Sequence, residues 1–262
     1  MRHLEGRTAI ITGGGRGIGR AVAEALAAGG AGIVIAARNQ RELRATAAAV
    51  GAAGGRAEVV AGDIADPPTS QRLLETALGS FGGCDVLINA AAIVGPTGET
   101  ETLDLEAWSE TLRINLTGTF LACRAVLPEM KRRRRGKILN IASGLAVRPQ
   151  PGLAAYSATK AAVVQFSRVL AEEVRSHGIS VNAVHPGIVR TAQVDELMAL
   201  GGPGAQQQIV QRMKEVEAAG ALREPAEAAR LFVWLAAACE LTGAFIRSDD
   251  PEVQAQVAAF VL

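Results

Sequence analysis

In the segment "YSATKAAVVQF", Tyr156 and Lys160 stand four residues apart at the start of a helical pattern, so their side chains share one helix face. A lysine ammonium beside a phenol favours the phenolate, lowering the tyrosine pKa from about 10 toward the range of a general acid/base. Ser143 follows the apolar run "KILNIA" (137–142), at the carboxyl end of a candidate strand, where ligands of α/β folds bind. A Tyr/Lys pair at this spacing is common on helix surfaces, so its chemistry depends on what else converges there.

A second feature lies near the start of the chain. "AIITGGGRGIG" (9–19) places five glycines and Arg16 within seven residues after an apolar run. A strand that turns directly into a helix presents the helix's first N–H groups and its dipole to an anion, and glycines let a diphosphate approach the backbone. The pattern, Thr12-Gly13-x-x-x-Gly17-x-Gly19, is neither Gly-x-Gly-x-x-Gly nor a P-loop, since no Gly-Lys-Ser/Thr follows. A tight turn that binds nothing is the alternative. The second candidate strand ends Ala36-Ala37-Arg38-Asn39, with no acid to hold ribose hydroxyls. Arg38 and Arg16 are then either solvated surface arginines or the holders of a 2′-phosphate, and their position favours NADP(H) over NAD(H).

The elements that must position these groups alternate along the whole chain. Candidate strands fall at 8–12, 32–37, 57–62, 85–90, 137–142, 179–184 and 243–246, with helical alanine and leucine spacing between them. This rhythm predicts an α/β fold, a Rossmann-like doubly wound sheet of about seven parallel strands with helices on both faces. No linker interrupts it, so residues 1–262 read as a single domain. The stretch "TAQVDELMALGGPGAQQQ" (191–208) breaks the pattern, and the region around 190–218 reads as a surface loop or as a substrate lid.

Bulk properties exclude other classes. Lys plus Arg (27) nearly balances Asp plus Glu (26), so no net field recruits nucleic acid or an anionic membrane, and the expected partner is small. The run "KRRRRGK" (131–137) suits a helix C-terminus, where cations complement the dipole. No apolar stretch reaches the roughly 18 residues of a membrane span, and no signal-peptide pattern precedes the first strand. Cys84, Cys123 and Cys239 lie far apart and read as buried, reduced thiols, which points to the cytoplasm; His3, His177 and His185 are equally scattered, so no metal site is expected.

The glycine turn, Asp63 after the third strand, "NAAA" (89–92), Asn115, Ser143, Tyr156-x-x-x-Lys160 and "HPGIVRT" (185–191) together resemble the short-chain dehydrogenase/reductase family in order and spacing, over roughly residues 5–247. The resemblance implies an NAD(P)(H)-dependent oxidoreductase interconverting a ketone and a secondary alcohol. Tyr156 would be the general acid/base, Lys160 would tune it and hold the nicotinamide ribose, and Ser143 would bind the substrate oxygen. Asn115 would hold a water that links Lys160 to solvent. Asp63 would bind the adenine amino group and Asn89 would steady the central strand, while Pro186, Gly187 and Thr191 would form the nicotinamide end. Gly13, Arg16, Gly17, Ile18, Gly19, Arg38, Ile64 and Val189 would complete the cofactor site. Leu145 and His185 would join Ser143 and Tyr156 around the substrate.

Leu145, Val147, Leu153, Val194, Leu197 and Met198 suggest an apolar pocket unsuited to a highly charged ligand. "LEAWSETLRINLTGTFLACRAVLP" is apolar around more of its circumference than one sheet face hides, and the resemblance implies burial against a second copy in a homotetramer or homodimer. Two departures stand out. The usual Asn-Asn-Ala-Gly is Asn89-Ala90-Ala91-Ala92, costly if Ala92 needs a positive φ and a packing change only if it does not. "LTGAFIRSDDPEV" lacks the family's Asp-Gly-Gly ending. These departures keep one alternative open, a dinucleotide-binding sensor or scaffold with vestigial catalysis.

Overall fold

A computed structural model describes residues 3–260. The elements run β1 (Thr8–Thr12), α1 (Gly17–Ala28), β2 (Gly32–Ala37), α2 (Gln40–Ala52), β3 (Arg56–Ala61), α3 (Pro67–Phe81) and β4 (Val86–Asn89). They continue with α4 (Leu105–Leu112), α5 (Gly118–Arg133), β5 (Gly136–Ile141), α6 (Ala154–Val174), β6 (Ile179–His185), β7 (Ile188–Val189) and α7 (Ala192–Met198). The remainder are α8 (Ala205–Ala218), β8 (Leu222–Arg223), α9 (Pro225–Ala237), β9 (Phe245–Arg247) and α10 (Pro251–Ala259).

Among the described residues, seven strands form one sheet in the order β3-β2-β1-β4-β5-β6-β9, and every pairing is parallel. The strands are apolar on both faces because both are covered. Ala9 and Ile11 of β1, with Ile33 and Ile35 of β2, meet the layer that includes α1 and α9. Ile10 and Val34 point the other way, into the layer of α3, α5 and α6. Complete burial of each such isoleucine or valine contributes roughly 1.5–3 kcal/mol. Sequence order reverses between β1 and β4, and the crevice at that point is where open α/β sheets bind ligands.

Three local features differ from the sequence expectation. The last strand begins at Phe245 rather than 243, since Gly243 adopts φ +74° and turns the chain first. The 191–208 stretch is not loop throughout. It contains α7 and the start of α8, and tertiary packing overrides its glycines and glutamines: Ala205 and Ile209 are buried, and Gln206 Nε2 donates to Thr97 O and Oγ1. The long apolar helix is interrupted at Arg113–Thr117 by a wider π turn between α4 and α5.

The arginine run serves the fold. Arg133 and Arg135 reach the buried Asp85, whose Oδ2 accepts from the Thr8 N–H at 3.0 Å and whose Oδ1 lies 2.9 Å from Arg135 Nε. Lys137 Nζ donates to the Leu235 and Cys239 carbonyls at the end of α9, at 3.1 and 2.6 Å. The three cysteines are buried and free. No helix among the described residues is long and apolar enough to cross a membrane.

Candidate active site

The turn after β1 is shaped by close backbone approach. Gly13 has φ +70°, and a methyl there would stand 2.8 Å from the Ala91 nitrogen; a methyl on Gly19 would stand 2.3 Å from the Gly13 carbonyl oxygen. Real Cβ contacts do not come that close, so both positions exclude any side chain. Thr12 Oγ1 accepts from the Ala90 and Ala91 N–H groups, each at 3.2 Å, and joins the turn to the chain leaving β4. Arg16 caps α1 without a side-chain hydrogen bond, so the first N–H groups of this 12-residue helix face the turn without a side-chain cap.

A cleft of about 610 Å³ opens above this turn, a volume typical of ligand pockets. Its walls include Gly13, Arg16, Gly17, Ile18, Gly19, Arg38, Asp63, Ile64 and Thr191, all expected at the cofactor. Asn89 lies beneath it, 3% exposed, and Pro186, Gly187 and Val189 stand outside its lining. The glycine cradle and the open helix end therefore fit a dinucleotide diphosphate. Ala92 is not strained, since Arg134 is the only non-glycine with positive φ among the described residues. Instead its carbonyl accepts from Gln193 Nε2 at 2.7 Å, which fastens α7 over the cleft.

Arg113, at the π turn, has no warning in the sequence. Its Nη2 meets Asp63 Oδ2 at 2.5 Å, while Asp63 Oδ1 accepts from the Ala65 N–H at 2.9 Å. Burial raises the Asp63 carboxyl, but the Arg113 and Ala65 hydrogen bonds and the nearby guanidinium charges outweigh it and hold the pKa below its usual value. The expected adenine contact is thus already part of an ion pair.

Ser143 stands just past the end of β5, and Tyr156 and Lys160 share the first turns of α6. The Tyr156 hydroxyl lies close enough to Ser143 for the serine to pull its pKa down. Lys160 Nζ lies 5.4 Å from the Tyr156 ring centroid and donates to Ile141 O at 2.7 Å. Burial pushes the Tyr156 pKa up to about 12, with Ser143 pulling the other way, and burial lowers Lys160 to about 8. The tyrosine shift is opposite to the one expected from the sequence. The ammonium donates to the Ile141 carbonyl, and desolvation of the buried phenol dominates.

Asn115 is 1% exposed and lies within the π turn. Its Oδ1 accepts from the Ile93 N–H at 2.9 Å, and its Nδ2 donates to Ile93 O at 2.9 Å and to Thr159 Oγ1 at 3.1 Å. The amide thereby ties the segment after β4 to the helix that carries Tyr156. Asn89 Nδ2 donates to Asn140 Oδ1 at 2.8 Å, and Asn140 Nδ2 to Ser167 Oγ at 2.9 Å. This buried chain braces β4, β5 and α6. Asn140 and Ser167 went unsuspected because each reads as an isolated polar residue in an apolar run.

His185 ends β6 and is 7% exposed, and burial lowers its pKa to about 4, against the pull of Asp249. The residues expected to form an apolar pocket differ in exposure. Leu153 and Val194 belong to the interior and Val147 is exposed, leaving Leu145, Leu197 and Met198 half-buried.

The short chain dehydrogenase family model matches residues 7–199. The chain is 38% identical over 228 residues to the short-chain reductase protein NovJ of Streptomyces niveus, covering 87% of this chain and 86% of that one. It is 36% identical over 252 residues to a 2,5-dichloro-2,5-cyclohexadiene-1,4-diol dehydrogenase of Sphingobium indicum, covering 95% and 98%. The crystal structure of L-sorbose reductase from Gluconobacter frateurii, complexed with NADPH and L-sorbose, superposes with a TM-score of 0.84 at 30% identity, covering 94% and 96%. The chain belongs to the short-chain dehydrogenase/reductase family and is an oxidoreductase acting on the CH–OH/C=O pair.

Proposed function

We propose that the chain interconverts a ketone and a secondary alcohol with NADP(H) favoured over NAD(H), as one catalytic unit whose 190–218 segment is the lid. The observation that carries this reading is the convergence of Ser143, Tyr156 and Lys160 at the carboxyl end of β5, in the same sheet as the glycine cradle.

A bound nicotinamide supplies or accepts the hydride. Ser143 Oγ donates to the substrate oxygen and orients it toward Tyr156. The Tyr156 hydroxyl gives its proton to that oxygen as the alcohol forms, and takes it back in the oxidative direction. Lys160, without a carboxylate partner among the described residues, would hold the ribose hydroxyls of the bound cofactor. Asn115 acts by positioning: its bonds to Ile93 and Thr159 fix the segment between cleft and helix. Arg16 and Arg38 share the cleft wall with Asn39, and no acid stands at the end of β2, which supports 2′-phosphate recognition. Leu105, Phe120 and Val169, exposed on α4, α5 and α6, support association with a second copy, as a dimer or tetramer.

Titrating the protein with NADPH and NADH, read by quenching of Trp108 and Trp234, and then assaying a ketone panel at the NADPH absorbance, tests the reading. Tighter NADPH binding with turnover of a ketone is expected. Binding without turnover across a broad panel would remove the catalytic assignment, and binding of neither cofactor would remove both.

A further inference from the structure

The polar side of the site is built around Gly144, the residue after Ser143. A methyl on Gly144 would stand 3.1 Å from both Arg148 Nη2 and His185 Nε2, so a guanidinium and an imidazole converge on the peptide next to the substrate-binding hydroxyl. The backbone makes this possible: Ser143 Oγ caps a short turn over Gly144–Ala146, and the Arg148 N–H returns to the Gly144 carbonyl at 3.0 Å.

Arg148 is exposed and holds a long ion pair with Asp249. Among the described residues its guanidinium donates no hydrogen bond, and its carboxylate neighbour, Asp249, is 3.7 Å away. Asp249 is already engaged by Arg247, at 2.9 and 2.6 Å. Arg223 adds a third guanidinium, donating to Ser248 O at 3.2 Å, with Glu227 as a loose partner at 3.9 Å. Asp250 also acts on Arg247, so three arginines and three carboxylates, Asp249, Asp250 and Glu227, gather here, none of the carboxylates within hydrogen-bond reach of Arg148. Two buried polar atoms also lack partners here: His185 Nδ1 and Ser248 Oγ, in residues 7% and 4% exposed. Buried polar groups in native structures are nearly always satisfied, so these unpaired atoms, with the His185 Nε2 edge turned to Gly144, mark a place for a polar ligand.

We propose that the substrate carries a carboxylate besides its reacting carbonyl, and that Arg148 and His185 at Gly144 recognise it; this rests on the ketone/alcohol reading above. A planar guanidinium matches a carboxylate through two parallel hydrogen bonds. Arg247 and Ser248 occupy the C-terminal stretch that departs from the family ending, so this departure supplies the polar wall.

The test compares kcat/KM for 2-, 4- and 5-oxo acids, each against its methyl ester, in the wild type, Arg148→Gln and Arg148→Lys, with NADPH affinity confirming that each variant is folded. The wild type is expected to favour at least one acid over its ester by about 10-fold or more, Arg148→Gln to abolish that preference, and Arg148→Lys to restore part of it. Equal use of acids and esters by the wild type, or an acid preference that survives in Arg148→Gln, overturns the proposal. A preference for dihydroxyacetone phosphate over every oxo acid reassigns the cluster to phosphate and also overturns it. Should no carbonyl compound turn over, the ketone/alcohol reading fails instead. Calorimetry of oxo acid and ester on the NADP⁺-loaded protein then decides the carboxylate site alone: acid-selective binding lost in Arg148→Gln supports it, and its absence overturns it.

Discussion

The two halves of the site, on either side of the sheet's carboxyl edge, are constructed differently. The half over β1, β2 and β3 is built from backbone and absence: glycines at 13 and 19 that admit no Cβ, an open helix end, and a threonine that fastens two loops. The half over β5, β6 and β9 is built from long side chains brought from distant segments, with Tyr156 and Lys160 on α6, Arg148 just past a short turn and His185 at a strand end. A diphosphate is the same in every dinucleotide and is held well by fixed N–H groups. A variable substrate needs side chains that can be exchanged without disturbing the backbone.

The contrast is broken most decisively by Tyr156→Phe, which removes the proposed proton donor and leaves the cradle intact. Turnover should fall by about 10²–10⁴-fold with NADPH affinity nearly unchanged. Comparable activity in the phenylalanine variant would show that the two halves do not divide the work in this way. Arg38→Ala probes the other half. The NADPH-over-NADH affinity ratio should drop roughly 10-fold or more as the charge-assisted bonds to the 2′-phosphate disappear, and an unchanged ratio would place the preference elsewhere.

The smallest effect concerns stability. The native His185 pKa of about 4 lies below the usual 6.5, so between these values the unfolded chain binds more protons and native stability is lost as pH falls from 6.5 toward 4. Between pH 7 and pH 5 this amounts to about 1–2 kcal/mol, which His185→Asn should remove. Urea midpoints of both proteins at the two pH values check it. Identical pH sensitivity would mean that another group titrates.

The same division governs what could be read in advance. The alternation of strands and helices, the glycine turn and the Tyr156/Lys160 spacing are local patterns, because strand period, helix period and Cβ exclusion act between near neighbours in the chain. Even the odd Asn89-Ala90-Ala91-Ala92 segment was legible as a departure, though only the backbone showed Ala92 to be unstrained. The 191–208 stretch misled because glycine and glutamine propensities are weak against burial of Ala205 and Ile209.

The amino-acid sequence by itself determined the parallel sheet, the glycine turn after β1 and the presence of a tyrosine/lysine pair on one helix face. Only the tertiary structure decided that Arg113 pairs with Asp63 across 50 residues, that Asn115 locks Ile93, and that burial raises Tyr156 while Lys160 sits against its ring. It alone gathered Arg148, His185, Arg223 and Arg247 at one end of β6. Such contacts join residues far apart in the chain, and their energies depend on desolvation, a property of the folded surroundings that no local pattern encodes.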